Sequence, residues 1–283
     1  MSKIVELFGH SAYEMSIFWP QVVDQQLCNY TGRRCYKIRK SSPEISIGTC
    51  TVLYGRDPLP VIICPTRLLE RRQVFMDCIH LLTQHEPGNE LHIVSEVPVP
   101  GGHVDFFLVS VRDGIARDFV GIELQTLDTT GTVWPERQRF VAEHGVAPND
   151  EGAVSSNTFG MNWKMTAKTI LVQMHHKVQT FEHLSKKLVL VVQDNLLNYM
   201  RREFTFSHMS NAARIGDAMH VHAYQMIGQP DSSFSIQLSE RISTDSEGIA
   251  RCLGLQAEAR VELQQIIYAI QSRLSPHTRF TPF

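Results

Sequence analysis

The sequence predicts an α/β chain whose core is a mixed sheet of element order helix, three strands, helix, strand (αβββαβ), behind a small cysteine-rich N-terminal module. Three observations predict it. Residues 96–125 hold two alternating Val- and Phe-rich runs on either side of Arg112-Asp113-Gly114, and Asp-Gly between apolar runs is a strong hairpin signal. Residues 187–193 are an almost unbroken apolar run, the pattern of a strand buried on both faces. Cys28, Cys35, Cys50 and Cys64 all fall in the loop-rich first 65 residues. The expected division is 1–65 for the module and 66–283 for the core with a C-terminal strand and helix extension.

Composition narrows the class. The chain has 283 residues and is 43% hydrophobic, enough for one large domain or a core plus a small one. A net charge of −2 argues against a wholly basic nucleic-acid binder, yet an acidic site and a basic DNA-facing surface can cancel in that sum. No apolar run reaches the length of a membrane span, and the first ten residues lack a signal-peptide layout, so a cytoplasmic protein without membrane association is expected. Six cysteines in such a setting point to metal or buried thiols rather than disulfides. No internal repeat, P-loop or dinucleotide fingerprint appears.

In chain order, the module comes first. Arg33 and Arg34 lie in a turn-rich loop between the first two cysteines, and Lys37, Arg39 and Lys40 follow directly. Four thiolates around one metal would order such a region, but no Cys-x-x-Cys knuckle is present, so spacing alone leaves scattered buried thiols equally open. Residues 66–84 read as an amphipathic helix with Thr66 as N-cap, Leu68, Phe75, Ile79 and Leu82 on one stripe, and Pro87-Gly88 beyond its end. Strands follow over 91–99, 103–111 and 118–127. Residues 128–161 lack periodicity and read as a long functional loop. Residues 162–185 return to helix, with Ile170, Met174, Val178 and Phe181 inward and Lys164 and Lys168 outward. Strands are expected over 217–227 and 234–242, and a long helix over 247–274. His220 and His222 share a strand face and read as exposed or hydrogen-bonded histidines, and Cys78 and Cys252 as buried thiols.

The chemistry concentrates in the hairpin. A tight turn at 113–114 or a slightly longer loop places Asp105 opposite residues 122–125, so Asp105 and Glu123 come within roughly 5 Å at Cβ. Two half-buried carboxylates that close require a shared proton or a cation between them, and hard oxygen ligands suit Mg2+. Gln125 shares a strand face with Glu123 and puts a neutral group beside that site. Glu96, on the preceding strand, either completes an acidic cluster or is a solvated strand-end charge. The pattern Asp…Glu-x-Gln looks like a variant of the PD-(D/E)xK nuclease site, with Gln in place of lysine.

Taken together, the four cysteines ending in Ile63-Cys64-Pro65-Thr66-Arg67, then Glu96, Asp105, Glu123-Leu124-Gln125 and Asn162-Trp163-Lys164, resemble the NotI-type restriction endonucleases, a group that includes EagI-like enzymes. The resemblance spans most of residues 1–195 and implies a restriction-endonuclease-like core. It implies a structural, rubredoxin-like iron site at Cys28, Cys35, Cys50 and Cys64, with zinc as substitute. It implies a catalytic set of Glu96, Asp105, Glu123 and Gln125, with Mg2+ held by Asp105, Glu123 and the Leu124 carbonyl. The implied activity is Mg2+-dependent hydrolysis of double-stranded DNA at a GC-rich palindrome, leaving 5′ overhangs, by a homodimer in the bacterial cytoplasm. A companion methyltransferase, not a stable subunit, is implied in the host. Candidates for DNA contact are Arg33, Arg34, Lys37, Arg137, Arg139, Lys164 and Lys168. Two competing readings are a metal-stapled DNA-binding protein without catalysis and a repair nuclease of the same fold.

Overall fold

The computed structural model describes residues 2–148, 159–255, 265–268 and 270–275, a mixed α/β chain with several sheets. A four-stranded sheet of order β2-β1-β3-β4 is built from β1 (Ile4–Leu7), β2 (His10–Ser11), β3 (Thr49–Tyr54) and β4 (Leu59–Ile62). Helix α1 (Trp19–Gln25) and a ribbon of Ile38–Arg39 and Ser42–Ser46 fill the connection between β2 and β3.

The main sheet has six strands: β5 (Glu90–Val99), β6 (Gly102–Arg112), β7 (Ile115–Gln125), β8 (Lys187–Gln193), β9 (Met219–Gly228) and β10 (Phe234–Thr244). Their spatial order is β10-β9-β8-β7-β6-β5. Strands β5, β6 and β7 form an antiparallel meander, β8 lies parallel to both β7 and β9, and β10 closes antiparallel on β9. Parallel neighbours require crossovers. Helix α3 (Trp163–His183) carries the chain from β7 to β8, and α4 (Asp194–Glu203) from β8 to β9. Helix α2 (Trp134–Glu143) precedes α3, and α5 (Ser246–Cys252) follows β10.

Strand β8 is buried at six of its seven positions, as its apolar run predicts, because helices and the neighbouring elements cover both faces. One apolar cluster runs from Leu7, Val52 and Val61 of the small sheet to Val104 and Leu190 of the main one and Ile170 and Phe181 of α3. Gln193, at the end of β8, adds a polar hook: its Oε1 accepts from Ile62 N–H and its Nε2 donates to Pro60 O, both at 2.8 Å. No helix among the described residues is long and apolar enough to cross a membrane.

Several expectations are corrected. Residues 66–84 are not one helix. A 3-10 segment, Pro65–Arg72, turns extended at Glu70 and left-handed at Arg71, and only the short helix Gln73–Met76 and the 3-10 turn Ile79–Leu81 follow. Tertiary bonds override the periodicity: Arg67 is fully buried against Glu6, and Glu70 turns inward to accept from Arg67 and from Ile236 N–H. Cys64, not Thr66, stands at the N-cap. The loop expected at 128–161 contains α2, whose buried face includes Glu136, Arg137 and Gln138 and therefore shows no apolar stripe; residues 149–158 of that stretch lie outside the described residues. The helix expected over 247–274 is seen in two parts: α5 ends at Cys252, where Gly254 takes φ +70° in the manner of a helix-stopping glycine, and residues 265–268, 270 and 271 are again helical; residues 256–264 and 269 lie outside the described residues. Of the two readings of His220 and His222, the hydrogen-bonded one holds: both are buried because β9 is an interior strand, with His220 against Asp217 O and His222 against the Cys78 thiol.

Candidate active site

The β6–β7 turn has Asp113 at φ +55° and Gly114 at φ +72°, the two left-handed positions that a two-residue hairpin turn demands. Arg112 pairs with Ile115 and Val111 with Ala116. A bulge between Ser110 and Val111 then shifts the register by one, so Ser110 faces Asp118 and Phe106 faces Ile122. Continuing this register sets Asp105 opposite Glu123, and the Leu124 N–H donates to Asp105 Oδ2 at 2.8 Å. On the other side of β6, Ser95 faces Phe106 and Val97 faces Val104, so Glu96 falls opposite Asp105. Glu96, Asp105 and Glu123 thus form one row across three adjacent strands. Glu96 is exposed on the edge strand and holds a left-handed φ of +55°, unusual for a residue other than glycine.

The row descends from solvent into the protein. Asp105 is partly buried, and burial raises its pKa; the Leu124 N–H and Lys177 oppose the rise and Glu96 adds to it. Glu123 is 6% exposed, and burial pushes its pKa up to about 7, with Asp105 raising it further and Lys177 opposing. The Lys177 ammonium donates to Glu123 Oε1 and to His103 O, each at 2.5 Å. Gln125 instead donates from its amide to Thr126 O at 2.6 Å. A cleft of about 300 Å3 opens beside the row, lined by Glu96, Asp105 and Leu124 from the meander and by Tyr36, Pro65 and Thr66 from the cysteine-rich segment.

Sequence reasoning missed Lys177. Its signal was present: it lies between Met174 and Phe181 on the apolar stripe of α3, where an unpaired ammonium is costly, so a buried anionic partner is required.

The four N-terminal cysteines are all buried and unbridged. Cys28 opens a tight turn: its carbonyl accepts from Gly32 N–H and its N–H donates to Arg33 O, both at 2.8 Å. Cys50 and Cys64 are brought together where Ile63 N–H donates to Cys50 O at 2.9 Å. The hydrogen bond between the Cys50 and Cys64 thiols lowers Cys64 below the usual thiol range, aided by Lys37 and Thr66, and raises Cys50. Burial is the main cause raising the Cys35 thiol, with Cys64 and Cys28 adding smaller contributions. Among the described residues, no three His, Cys, Asp or Glu side chains converge at ligand distance.

A family model described as Restriction endonuclease NotI matches residues 17–223. The chain belongs to the NotI restriction endonuclease family. The search of curated proteins gave no match. As a NotI-family member the chain is a type II site-specific deoxyribonuclease, with DNA as its substrate, rather than a binding protein without catalysis. The matched span contains the four cysteines, the carboxylate row, Gln125 and Lys177, and runs through the crossovers into β9.

For this NotI-family chain, Arg33, Arg34, Lys164 and Lys168 are exposed, and Lys37 is half-buried with its ammonium on Ile63 O at 2.6 Å. The Arg34 guanidinium donates to Glu44 O. Arg139 pairs with Glu136 and keeps a quarter of its side chain exposed. Arg137 is different: at 1% exposure it donates to Ile47 O and packs on the Trp134 ring, so it has no exposed face to present to DNA.

Proposed function

We propose that this enzyme is a Mg2+-dependent nuclease of the PD-(D/E)xK type whose site is the row Glu96, Asp105 and Glu123. The observation that carries the reading is the row itself: Asp105 and Glu123, both raised by burial, lie opposite each other on adjacent strands, and Asp105 and Glu96 line the cleft. Such a pair fits a hard divalent cation, which relieves their repulsion and completes its shell with waters and substrate phosphate. Asp105, Glu123 and the Leu124 carbonyl would hold it. When bound, Mg2+ polarises a phosphate oxygen and acidifies a water. The chain's own residues do the positioning: Leu124 N–H orients Asp105, Lys177 orients Glu123, and Glu96 holds water at the solvent end of the row. Gln125 carries no base near neutral pH and serves by orientation.

The cysteines support a second proposal, a structural iron or zinc centre at Cys28, Cys35, Cys50 and Cys64 within a module of residues 1–65. The support is chemical: four buried, unbridged cysteines fall in one segment, with Cys50 and Cys64 brought together, and soft thiolates are the donors such a metal takes. Among the described residues no three of them stand at ligand distance, so binding would have to draw them together. The cleft lies between this segment and the row, so order in one shapes the other. A homodimer cutting a GC-rich palindrome with 5′ overhangs, in a host protected by a methyltransferase, completes the proposal, with Arg33, Arg34, Lys37, Arg139, Lys164 and Lys168 as DNA contacts.

Digestion of unmethylated plasmid and phage DNA with Mg2+, followed by sequencing of the ends, tests the activity. Discrete fragments sharing a GC-rich palindromic 5′ overhang are the expected result; a smear contradicts site specificity. Elemental analysis of the purified chain should give one iron or zinc per chain, lost on Cys64→Ser.

A further inference from the structure

We propose that Lys177, delivered by helix α3, is the lysine of this active site, supplying from a helix the cation that strand position 125 lacks. The inference rests on the nuclease reading of Asp105 and Glu123. Its geometry is direct: the Lys177 ammonium touches Glu123 Oε1 and His103 O, each at 2.5 Å. His103 lies on β6 two residues before Asp105, so one ammonium ties together the two strands that carry the carboxylates. The Lys177 and Glu123 side chains are 7% and 8% exposed. An ion pair so buried loses about as much to desolvation as it gains in attraction, so stability alone gives little reason for it.

The packing is built to deliver that ammonium. The β5–β6 turn runs against α3 through Gly101 and Gly102, at φ +94° and +130°. A Cβ on Gly101 would meet the backbone of His176 at 3.3 Å, and one on Gly102 the Lys177 Cε at 3.6 Å. On the neighbouring strand Gly121 leaves room for Phe181, one helical turn beyond Lys177. Three glycines thus let α3 sit close enough for a lysine side chain to reach the row. Gln125, in the position where related sites carry lysine, has its amide on Thr126 O.

Lys177 is a positioning residue: it fixes one oxygen of Glu123, sets the separation of β6 and β7, and keeps a positive charge beside the place where phosphate charge builds up. This differs from a packing role in what it does to cations. Removing the ammonium takes one positive charge from the site, so at a pH high enough to keep Glu123 ionised (pH 8.5 in the assays below) a divalent ion should bind more tightly while turnover falls.

The test compares wild type, Lys177→Met, Lys177→Gln and the double variant Lys177→Met/Gln125→Lys. Single-turnover cleavage is measured in saturating Mg2+, DNA affinity in Ca2+, and Mn2+ binding to the DNA-free protein by electron paramagnetic resonance. Lys177→Met is expected to cut about 100-fold more slowly, the scale of losing one preorganised charged donor. It should bind DNA within about three-fold of wild type. Mn2+ should bind about ten-fold more tightly, as removal of a neighbouring positive charge requires. The double variant, which returns an ammonium to the site from the strand, should recover at least about ten-fold of the lost rate. Cutting by Lys177→Met at the wild-type rate overturns the proposal. So does a parallel fall of cutting, Mn2+ affinity and melting temperature, which marks a packing role. Should Lys177→Met not fold, Lys177→Gln keeps hydrogen-bond donors without the charge, and the same cutting and Mn2+ outcomes apply to it. If wild type itself does not cut with Mg2+, the nuclease reading fails; if wild type cuts and the lysine variants cut equally, only the assignment of Lys177 fails.

Discussion

Gly121 lies on β7 two residues before Glu123, and replacing it with alanine should weaken both the fold and the cutting without touching a carboxylate. A Cβ at this position would stand 2.5 Å from Phe181 Cζ, 2.7 Å from its Cε1 and 3.0 Å from Leu188 Cδ1. Carbon atoms pack at about 3.5–4.0 Å, so the ring must retreat by about 1 Å. It has little room: Phe181 is 1% exposed and held between Phe107 and Phe119, with ring centroids at 6.0 and 6.3 Å. Overpacking of this kind costs about 1–3 kcal/mol, offset by about 0.4–1 kcal/mol from the lower entropy of an unfolded chain with one glycine fewer. The net expected loss is about 1–2 kcal/mol, read as a lower urea midpoint at unchanged slope. Because Phe181 and Lys177 are one turn apart on α3, the same displacement draws the ammonium from Glu123, so cleavage should slow as well. Trimming the ring in Gly121→Ala/Phe181→Leu should recover part of both losses, a coupling expected only of residues in contact. A Gly121→Ala protein as stable and as active as wild type would refute this packing argument.

Other expectations follow from buried charge. His220 and His222 are held at about 4 and about 3, chiefly by burial, so both are neutral in the folded chain and protonate near pH 6.5 in the unfolded one. The unfolded state therefore binds more protons: their contribution is complete above about pH 6.5 and declines as pH falls towards the folded values, by about 2 kcal/mol per histidine at pH 5. Comparing the stability of wild type and His222→Leu at pH 7.5 and pH 5 isolates the effect from the carboxylates; equal pH dependence in the two would contradict it. Arg67 is fully buried, donates from Nε to both oxygens of Glu6 at 2.8 and 2.9 Å, and reaches Glu70 and Phe234 O at 2.9 Å. Arg67→Met leaves Glu6 charged and unpaired and should cost about 3–5 kcal/mol, much of it restored by adding Glu6→Gln; a urea-derived loss below about 1 kcal/mol would be incompatible with the network.

Much of the site was legible because it is local. Asp-Gly fixes the hairpin and the hairpin fixes the register to within one residue; the bulge at Ser110 decides that last residue, since without it Asp105 would face Ile122 and Glu123 would lie on the other face. The β8 run needed no partner to be read as buried. What escaped depends on long-range polar contacts. Helix α2 buries Glu136, Arg137 and Gln138, so periodicity is silent there, although Trp134-Pro135-Glu136 has the look of a helix start. The break at Glu70 and Arg71 answers to Glu6 and to Ile236 N–H, far away in sequence. Lys177 finds Glu123 across 54 residues, and only its place in an apolar stripe betrays it.

The most direct test of the central claim is the cleavage and binding of a cognate duplex by Glu123→Ala beside wild type, with Mg2+ for cutting and Ca2+ for binding. Wild type should cut, and Glu123→Ala should bind the duplex with comparable affinity yet leave both strands intact. Cutting by Glu123→Ala at the wild-type rate would show that the carboxylate row is not the catalytic site.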